Sequence, residues 1–267
     1  MGSRLLPSQT KVPISIVAHL SRGLGILALC LGLSACITET SGGMPGPAPV
    51  EDRIAAQLDL ARGYLENRDW TRAKAPLERA LEIDPRNVEA HVLSAVLFHA
   101  EAETKLAEQH YRTALRLEPT HAQALNNYAS FLYSEERFEE AVVPLEKLAE
   151  DTGYRARPLV FESLGLAYLQ VERFEDAKSA FERALRLNIR LPRSNLELAS
   201  LALAEGDLRT AQTQFDFFNR LSRPTAQSLC LGLKIALAAG DSDQMARYEL
   251  ALGNLFPEAA EQCQANG

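Results

Sequence analysis

The sequence predicts an all-α solenoid, six consecutive two-helix hairpins closed by a short C-terminal cap. Three observations carry that expectation. From Glu51 onward Ala, Leu and Glu dominate and β-branched residues are few, which favours helix over strand. A small alanine recurs as Ala73, Ala107, Ala141, Ala177, Ala211 and Ala246, at steps of 34, 34, 36, 34 and 35 residues. Its neighbours recur with it. Four residues later stand Leu77, Tyr111, Leu145, Phe181, Phe215 and Leu250. Nine earlier stand Tyr64, Phe98, Leu132, Tyr168, Ala202 and Leu237, and twelve earlier Ala61, Ala95, Ala129, Gly165, Ala199 and Lys234. A period of 20–50 residues marks stacked repeats. A small residue at a fixed place lets two helices approach, so all six alanines are expected at close helix crossings.

Taken in order, the first element concerns address rather than fold. Residues 1–22 carry Arg4, Lys11 and Arg22 and no acid, and residues 23–33 form an uncharged apolar run. The run is short of the roughly 20 residues a spanning helix needs, and a basic stretch before a short apolar core reads as a secretory signal. Leu33-Ser34-Ala35-Cys36 resembles the bacterial lipobox, in which the chain is cut before the cysteine and the cysteine is acylated. Residues 1–35 are thus expected to leave and Cys36 to carry lipid. The alternative is an ordinary signal cut near Ala35, with Cys36 incidental. Several acyl chains on one residue anchor stably to a membrane. Ile37 rather than Asp follows the cysteine, which in lipoprotein sorting points to the outer membrane, facing the periplasm. Residues 36–50 then form a flexible linker whose three Gly and three Pro prevent a fold of its own. Its reach is about 45 Å at the polyproline rise.

The folded domain is expected over 51–267, with repeats at 54–87, 88–121, 122–155, 158–191, 192–225 and 227–260. The first two end in Asp84-Pro85 and Glu118-Pro119, and a proline there cannot continue a helix. The third lacks that proline and is followed by a two-residue insertion within Arg155-Ala156-Arg157-Pro158. The sixth places Lys234 where a small residue belongs, which a terminal repeat without a following neighbour tolerates. In these positions the chain resembles the tetratricopeptide repeat, a 34-residue helix–turn–helix unit. That resemblance implies a right-handed superhelix whose groove is lined by the first helix of each repeat.

Continued onto this sequence, groove positions 2, 5, 9 and 12 fall on Ala55, Leu58, Arg62 and Leu65, then Glu89, Val92, Val96 and His99, then Gln123, Asn126, Ser130 and Tyr133. The mixture is apolar with a few amide and ring groups, suited to an amphipathic helix or an extended peptide. Leu58, Val92, Val96, Asn126, Asn127 and Tyr133 are the expected partner contacts. For the aliphatic three, the competing reading is burial between repeats. Paired asparagines inside a helix are locally unfavourable, because their side chains compete for backbone hydrogen bonds. Asn126 is therefore expected to hold a partner's backbone; the alternative is that one of the two asparagines bonds between neighbouring helices.

A lipidated six-repeat chain with Asn126-Asn127-Tyr128-x-x-Phe131-Leu132 in its third repeat resembles the type IV pilus biogenesis/stability family called PilW or PilF. The resemblance implies a pilotin, escorting the secretin subunit to the outer membrane and promoting its multimerisation. A periplasmic adaptor for peptidoglycan enzymes on the same lipid anchor is the alternative.

Charge and the remaining chemistry narrow the classes. The whole chain has net charge −7, and loss of Arg4, Lys11 and Arg22 leaves 25 basic against 35 acidic residues, or −10. Such a chain offers no phosphate-neutralising patch for nucleic acid. Of four cysteines, Cys230 and Cys263 remain free to pair in an oxidising compartment, with two buried thiols as the alternative. His91, His99, His110 and His121 lack the i, i+4 spacing of a helical metal site. No metal, cofactor, small-molecule substrate or catalytic arrangement is expected, and the chain reads as a protein that holds other proteins.

Overall fold

A computed structural model describes residues 48–265 of the chain. The secretory segment, Cys36 and residues 37–47 of the linker lie outside the described residues. The helical domain begins at Val50, with Pro49 at the N-cap, so the last residue assigned to the linker already belongs to a helix.

Among the described residues there are thirteen α-helices and no strand. Twelve form six hairpins: α1 (Val50–Glu66) with α2 (Trp70–Ile83), α3 (Val88–Ala100) with α4 (Thr104–Leu117), and α5 (Ala122–Ser134) with α6 (Phe138–Glu150). The next three pair α7 (Arg157–Gln170) with α8 (Phe174–Leu187), α9 (Pro192–Ala204) with α10 (Leu208–Leu221), and α11 (Ala226–Ala239) with α12 (Ser242–Leu255). The cap is α13 (Pro257–Ala265), packed on α12 and α11. Odd-numbered members α1 to α11 are the first helices, and even-numbered members the second helices.

One backbone device joins every first helix to its second. Arg68, Ala102, Glu136, Glu172, Gly206 and Gly240 all have positive φ, between 57° and 78°. The amide of each donates to the carbonyl three residues back, and the next residue's amide donates to the carbonyl five back, as in Arg68 to Leu65 and Asp69 to Tyr64. This is the Schellman closure, which satisfies carbonyls that the helix end would orphan. Its steps are 34, 34, 36, 34 and 34, so the backbone itself records the repeat and the single insertion.

The small-residue crossings follow for five repeats. Ala73, Ala107, Ala141, Ala177 and Ala211 are 0% exposed, and Leu77, Tyr111, Leu145, Phe181 and Phe215 are buried over them. At Gly165 even a methyl group would stand 2.6 Å from the Phe181 ring. Ala246 departs from the expectation, being exposed. The turn at Gly240 keeps the 34-residue step, so Met245 occupies the place of Ala211 and the repeat assigned to 227–260 starts one residue early. Lys234 and Leu250 are displaced with it, Leu250 lying 66% exposed. Close approach in this last hairpin occurs instead at Gly232, where an added Cβ would meet Phe215 and Tyr248 at 2.8 Å. An alanine-rich terminal helix offers several alanines at nearly the same spacing, and only the turn geometry selects the register.

Each second helix packs on the following first helix, so the core runs on from hairpin to hairpin. The insertion changes this once. Connections between hairpins elsewhere are short, but Asp151–Ala156 between α6 and α7 is longer, with Tyr154 packed on the core and Arg157 donating to the Ala149 carbonyl at 2.7 Å. There α6 and α7 meet more extensively than any other such pair, while α5 and α7 meet less than the other neighbouring first helices.

Candidate partner-binding face

Three clefts open between neighbouring first helices. The cleft between α1 and α3 measures about 590 Å³ and is lined by Ala55, Leu58, Asp59, Arg62 and Glu89 among others. Between α5 and α7 lies one of about 180 Å³, lined by Ala129, Ser130, Tyr133, Ser163 and Leu166 with Leu145 of α6. Between α7 and α9 lies one of about 430 Å³, lined by Leu169, Phe174, Ser200, Leu201 and Ala204 with Glu175, Glu197 and Glu205.

The expected contact residues divide between this face and the core. Tyr133 lines the α5/α7 cleft, half-buried, its ring edge-on to Phe138 at 4.9 Å. Leu58 lines the α1/α3 cleft but is only 5% exposed and belongs to the core of the first hairpin. Val92 is 0% exposed, enclosed by Ala114 and Ala124, and offers nothing to a partner. It is a spacer between the second and third hairpins, the burial reading weighed against contact. Val96 is half-buried between two core clusters. Asn126 and Asn127 are half-buried on α5, and among the described residues neither amide side chain makes a hydrogen bond. The Asn126 carbonyl accepts from Ser130 Oγ at 3.0 Å, a bond of the helix to itself. The alternative bond from an asparagine to a neighbouring helix is not formed.

Reading positions 5, 9 and 12 only through the third repeat left out half of the face. The same register carried into 158–191 gives Glu162, Leu166 and Leu169, and the last two line clefts. Position 12 forms a ladder, Leu65, His99, Tyr133, Leu169 and Leu203, which the corrected last register extends to Leu237 at 53% exposure. Phe174 and Ser163 had no signal in that pattern.

Polar groups fix the helices around the clefts. Glu162 Oε2 accepts from the Ser194 amide at 3.0 Å and its hydroxyl at 2.7 Å, tying α7 to the start of α9. Asn195 is fully buried and donates to the Leu191 carbonyl at 2.8 Å. Glu108 accepts from Arg137 and Arg112, each at 2.8 Å, and from the Tyr128 hydroxyl, and the Arg137 hydrogen bond holds its carboxyl below the usual range.

Two of the four histidines converge, contrary to the expectation from spacing. His91 Nδ1 and His110 Nδ1 lie 3.0 Å apart across the α3/α4 hairpin, and His91 Nε2 lies 3.0 Å from the Pro85 carbonyl. A carbonyl only accepts, so His91 donates there and its Nδ1 accepts from His110. Burial, with the neighbouring His91, pushes the His110 ring down to about 4. His99 and His121 face elsewhere, to Ser134 and to the Ala124 amide. Among the described residues no three His, Cys, Asp or Glu side chains gather as a metal site would require. Cys230 on α11 and Cys263 on α13 are brought together, with Cα atoms 5.7 Å apart, within the span a disulfide bridges.

Comparison with known proteins agrees with this architecture. The family profile described as the tetratricopeptide repeat matches residues 58–105, 101–158 and 163–216. The type IV pilus assembly protein PilF of Pseudomonas aeruginosa is 39% identical over 240 residues, covering 88% of this chain and 94% of its own. The solved structure of Pseudomonas aeruginosa PilF superposes with a TM-score of 0.74 at 40% identity, over 82% of this chain and 99% of that one. The crystal structure of PilW, described as a widely conserved type IV pilus biogenesis factor, gives 0.67 at 28% identity, over 78% and 97%. An unbroken series of tetratricopeptide hairpins shared along nearly its whole length with PilF places this chain in the PilF/PilW family of tetratricopeptide-repeat proteins.

Proposed function

We propose that this protein is a pilotin of type IV pilus biogenesis, anchored to the outer membrane through lipid on Cys36 and facing the periplasm. Its first-helix face binds the secretin subunit, promotes its arrival at the outer membrane and supports its multimerisation. The observation that carries the reading is a scaffold shared with PilF and PilW whose first helices here leave open clefts with apolar walls, Tyr133, Leu166, Leu169 and Leu201 among them. Such clefts suit a peptide segment of a partner, and nothing around them resembles a nucleophile with its base. The Cys230–Cys263 pair is a disulfide that fixes α13 over the last hairpin in the oxidising periplasm.

A deletion strain tests this. Heat-resistant secretin multimers are expected to disappear, with monomer remaining, and twitching motility to be lost. Cys36→Ala is expected to leave a soluble periplasmic protein and mislocalised secretin. Normal secretin multimers in the deletion strain overturn the proposal.

A further inference from the structure

The face carries an uncharged cleft directly beside one rimmed only by acid. None of the residues lining the α5/α7 cleft is charged. The α7/α9 cleft next to it has Glu175, Glu197 and Glu205 on its rim and no basic residue. Two of those carboxylates are neutralised from outside the cleft, Glu197 by Arg193 at 2.7 Å and Glu205 by Lys178 at 2.6 Å. Glu175 makes no ion pair among the described residues, although the Lys178 ammonium held by Glu205 also feels its charge. Beside it Phe174 is 53% exposed, although most of that residue type's surface is normally covered. An exposed aromatic, a cleft and a carboxylate without an ion pair thus share one edge, one first helix away from a second, uncharged cleft.

We propose that these two clefts together bind one extended, basic segment of a partner protein. One apolar side chain sits between α5 and α7 against Tyr133 and Leu166, a second lies on Phe174 and Leu201, and a Lys or Arg reaches Glu175. Packed helices stand roughly 8–10 Å apart, and a segment extended as polyproline II advances about 3.1 Å per residue and returns to the same face every third residue, so the two anchors are three residues apart with the basic residue just beyond. The charge decides the class of occupant. An acidic segment would bring its charge against Glu175, the one rim carboxylate without an ion pair among the described residues, and a second copy of a chain that is itself net acidic does the same. This deepens the pilotin reading by stating which part of the face is used and what the bound segment looks like.

The full lipidated chain in detergent is titrated with two labelled ten-residue probes. Each carries leucines at i and i+3, followed by two lysines in one probe and two glutamates in the other. The basic probe is expected to bind at least tenfold more tightly. Ser163→Trp, which fills the first cleft from an exposed position, is expected to weaken it tenfold with thermal unfolding unchanged. Glu175→Lys is expected to abolish the preference for lysine, and Leu106→Trp, on the exposed side of α4, to change nothing. Equal binding of the two probes, binding of neither, an inert Ser163→Trp, or displacement of the probe by self-association overturns the proposal. If secretin multimers still depend on the protein while both probes fail, this inference falls and the pilotin reading stands.

Discussion

The six left-handed turn residues give the most direct test of how this sequence holds its repeat. Four are not glycine: Arg68, Ala102, Glu136 and Glu172, at φ of 57–60°. For an L-residue that conformation costs about 1–2 kcal/mol, a cost glycine escapes. Glycine in turn loses roughly 0.5–1 kcal/mol more than alanine on leaving the unfolded chain. The net gain for each change to glycine is therefore about 0.5–1 kcal/mol. Nothing else intervenes, because the Arg68, Ala102, Glu136 and Glu172 side chains are exposed and make no hydrogen bond or ion pair among the described residues. All four changes together are expected to add about 2–4 kcal/mol, or roughly 5–15 °C in Tm for a domain of this size. The reverse changes, Gly206→Ala and Gly240→Ala, are expected to cost about 1 kcal/mol each. A Cβ at either place meets nothing within 4 Å, so any loss comes from the backbone alone. Circular dichroism at 222 nm through thermal and urea unfolding measures both series. An unchanged or lowered Tm in the fourfold glycine variant, with Gly206→Ala and Gly240→Ala equally silent, refutes the assignment of strain to these turns.

Three further outcomes follow from other parts of the stack. Gly165→Ala drives a methyl group into the fully buried Phe181 ring; even after the helix-propensity gain of alanine it is expected to cost about 1–2 kcal/mol by urea unfolding. His110 titrates near 6.5 when unfolded and about 4 when folded, so the unfolded chain binds the extra proton between those values. Its contribution is complete above pH 6.5 and is lost as pH falls towards 4, and His110→Phe is expected to flatten that part of the stability–pH profile by about 1–2 kcal/mol, discounted for the ring's partial exposure. Cys263→Ser, which opens a bridge of sequence separation 33, is expected to destabilise the last hairpin by about 3–4 kcal/mol in the chain-entropy model; alkylation and mass measurement of the unreduced protein report whether the thiols were joined.

What could be read from the sequence was whatever repeats. The alanine period, the aromatic or leucine four residues on, and the prolines after Asp84 and Glu118 all describe hairpins that pack alike, because each faces the same neighbours. Where neighbours differ, the reading failed. The last hairpin packs against the short helix α13 rather than a following hairpin, so the residues it buries, Leu229, Leu233 and Leu252 with Cys263, do not follow the repeat pattern, and Ala246, Lys234 and Leu250 lie one place out of register. Val92 failed for a different reason. Position 5 faces the groove by family geometry, yet Ala114 and Ala124 are small enough that a valine there is swallowed between hairpins. The His91–His110 approach joins residues 19 apart on antiparallel helices, a distance at which no single-helix spacing rule applies. Four of the six turn residues were invisible because Arg, Ala and Glu carry no sign of a positive φ.

The insertion between the third and fourth hairpins is where sequence irregularity becomes a binding feature. Every first helix ends in the same closure, and the carbonyl that receives the left-handed residue's amide belongs to Leu65, His99, Tyr133, Leu169, Leu203 and Leu237 in turn. These are the ladder residues of the first-helix face, so one backbone motif sets the place of each rung relative to its own helix end. A uniform 34-residue step would then pack every first helix on the next in the same way, leaving uniform grooves. Two extra residues before α7 break that uniformity at one junction. The longer connection lets α7 settle on α6, and α5 and α7 part relative to the other first-helix pairs. What opens is the α5/α7 cleft, with Tyr133 and Leu166 on its walls and Leu145, a second-helix core residue, at its base. Second-helix side chains also line the other two clefts, Ile83 of α2 at α1/α3 and Phe174 and Glu175 of α8 at α7/α9, but both of those clefts carry charged residues and the α5/α7 cleft carries none. The departure from the family period thus falls at the junction that holds the uncharged cleft on which partner binding is proposed to depend, although clefts also open at junctions without an insertion.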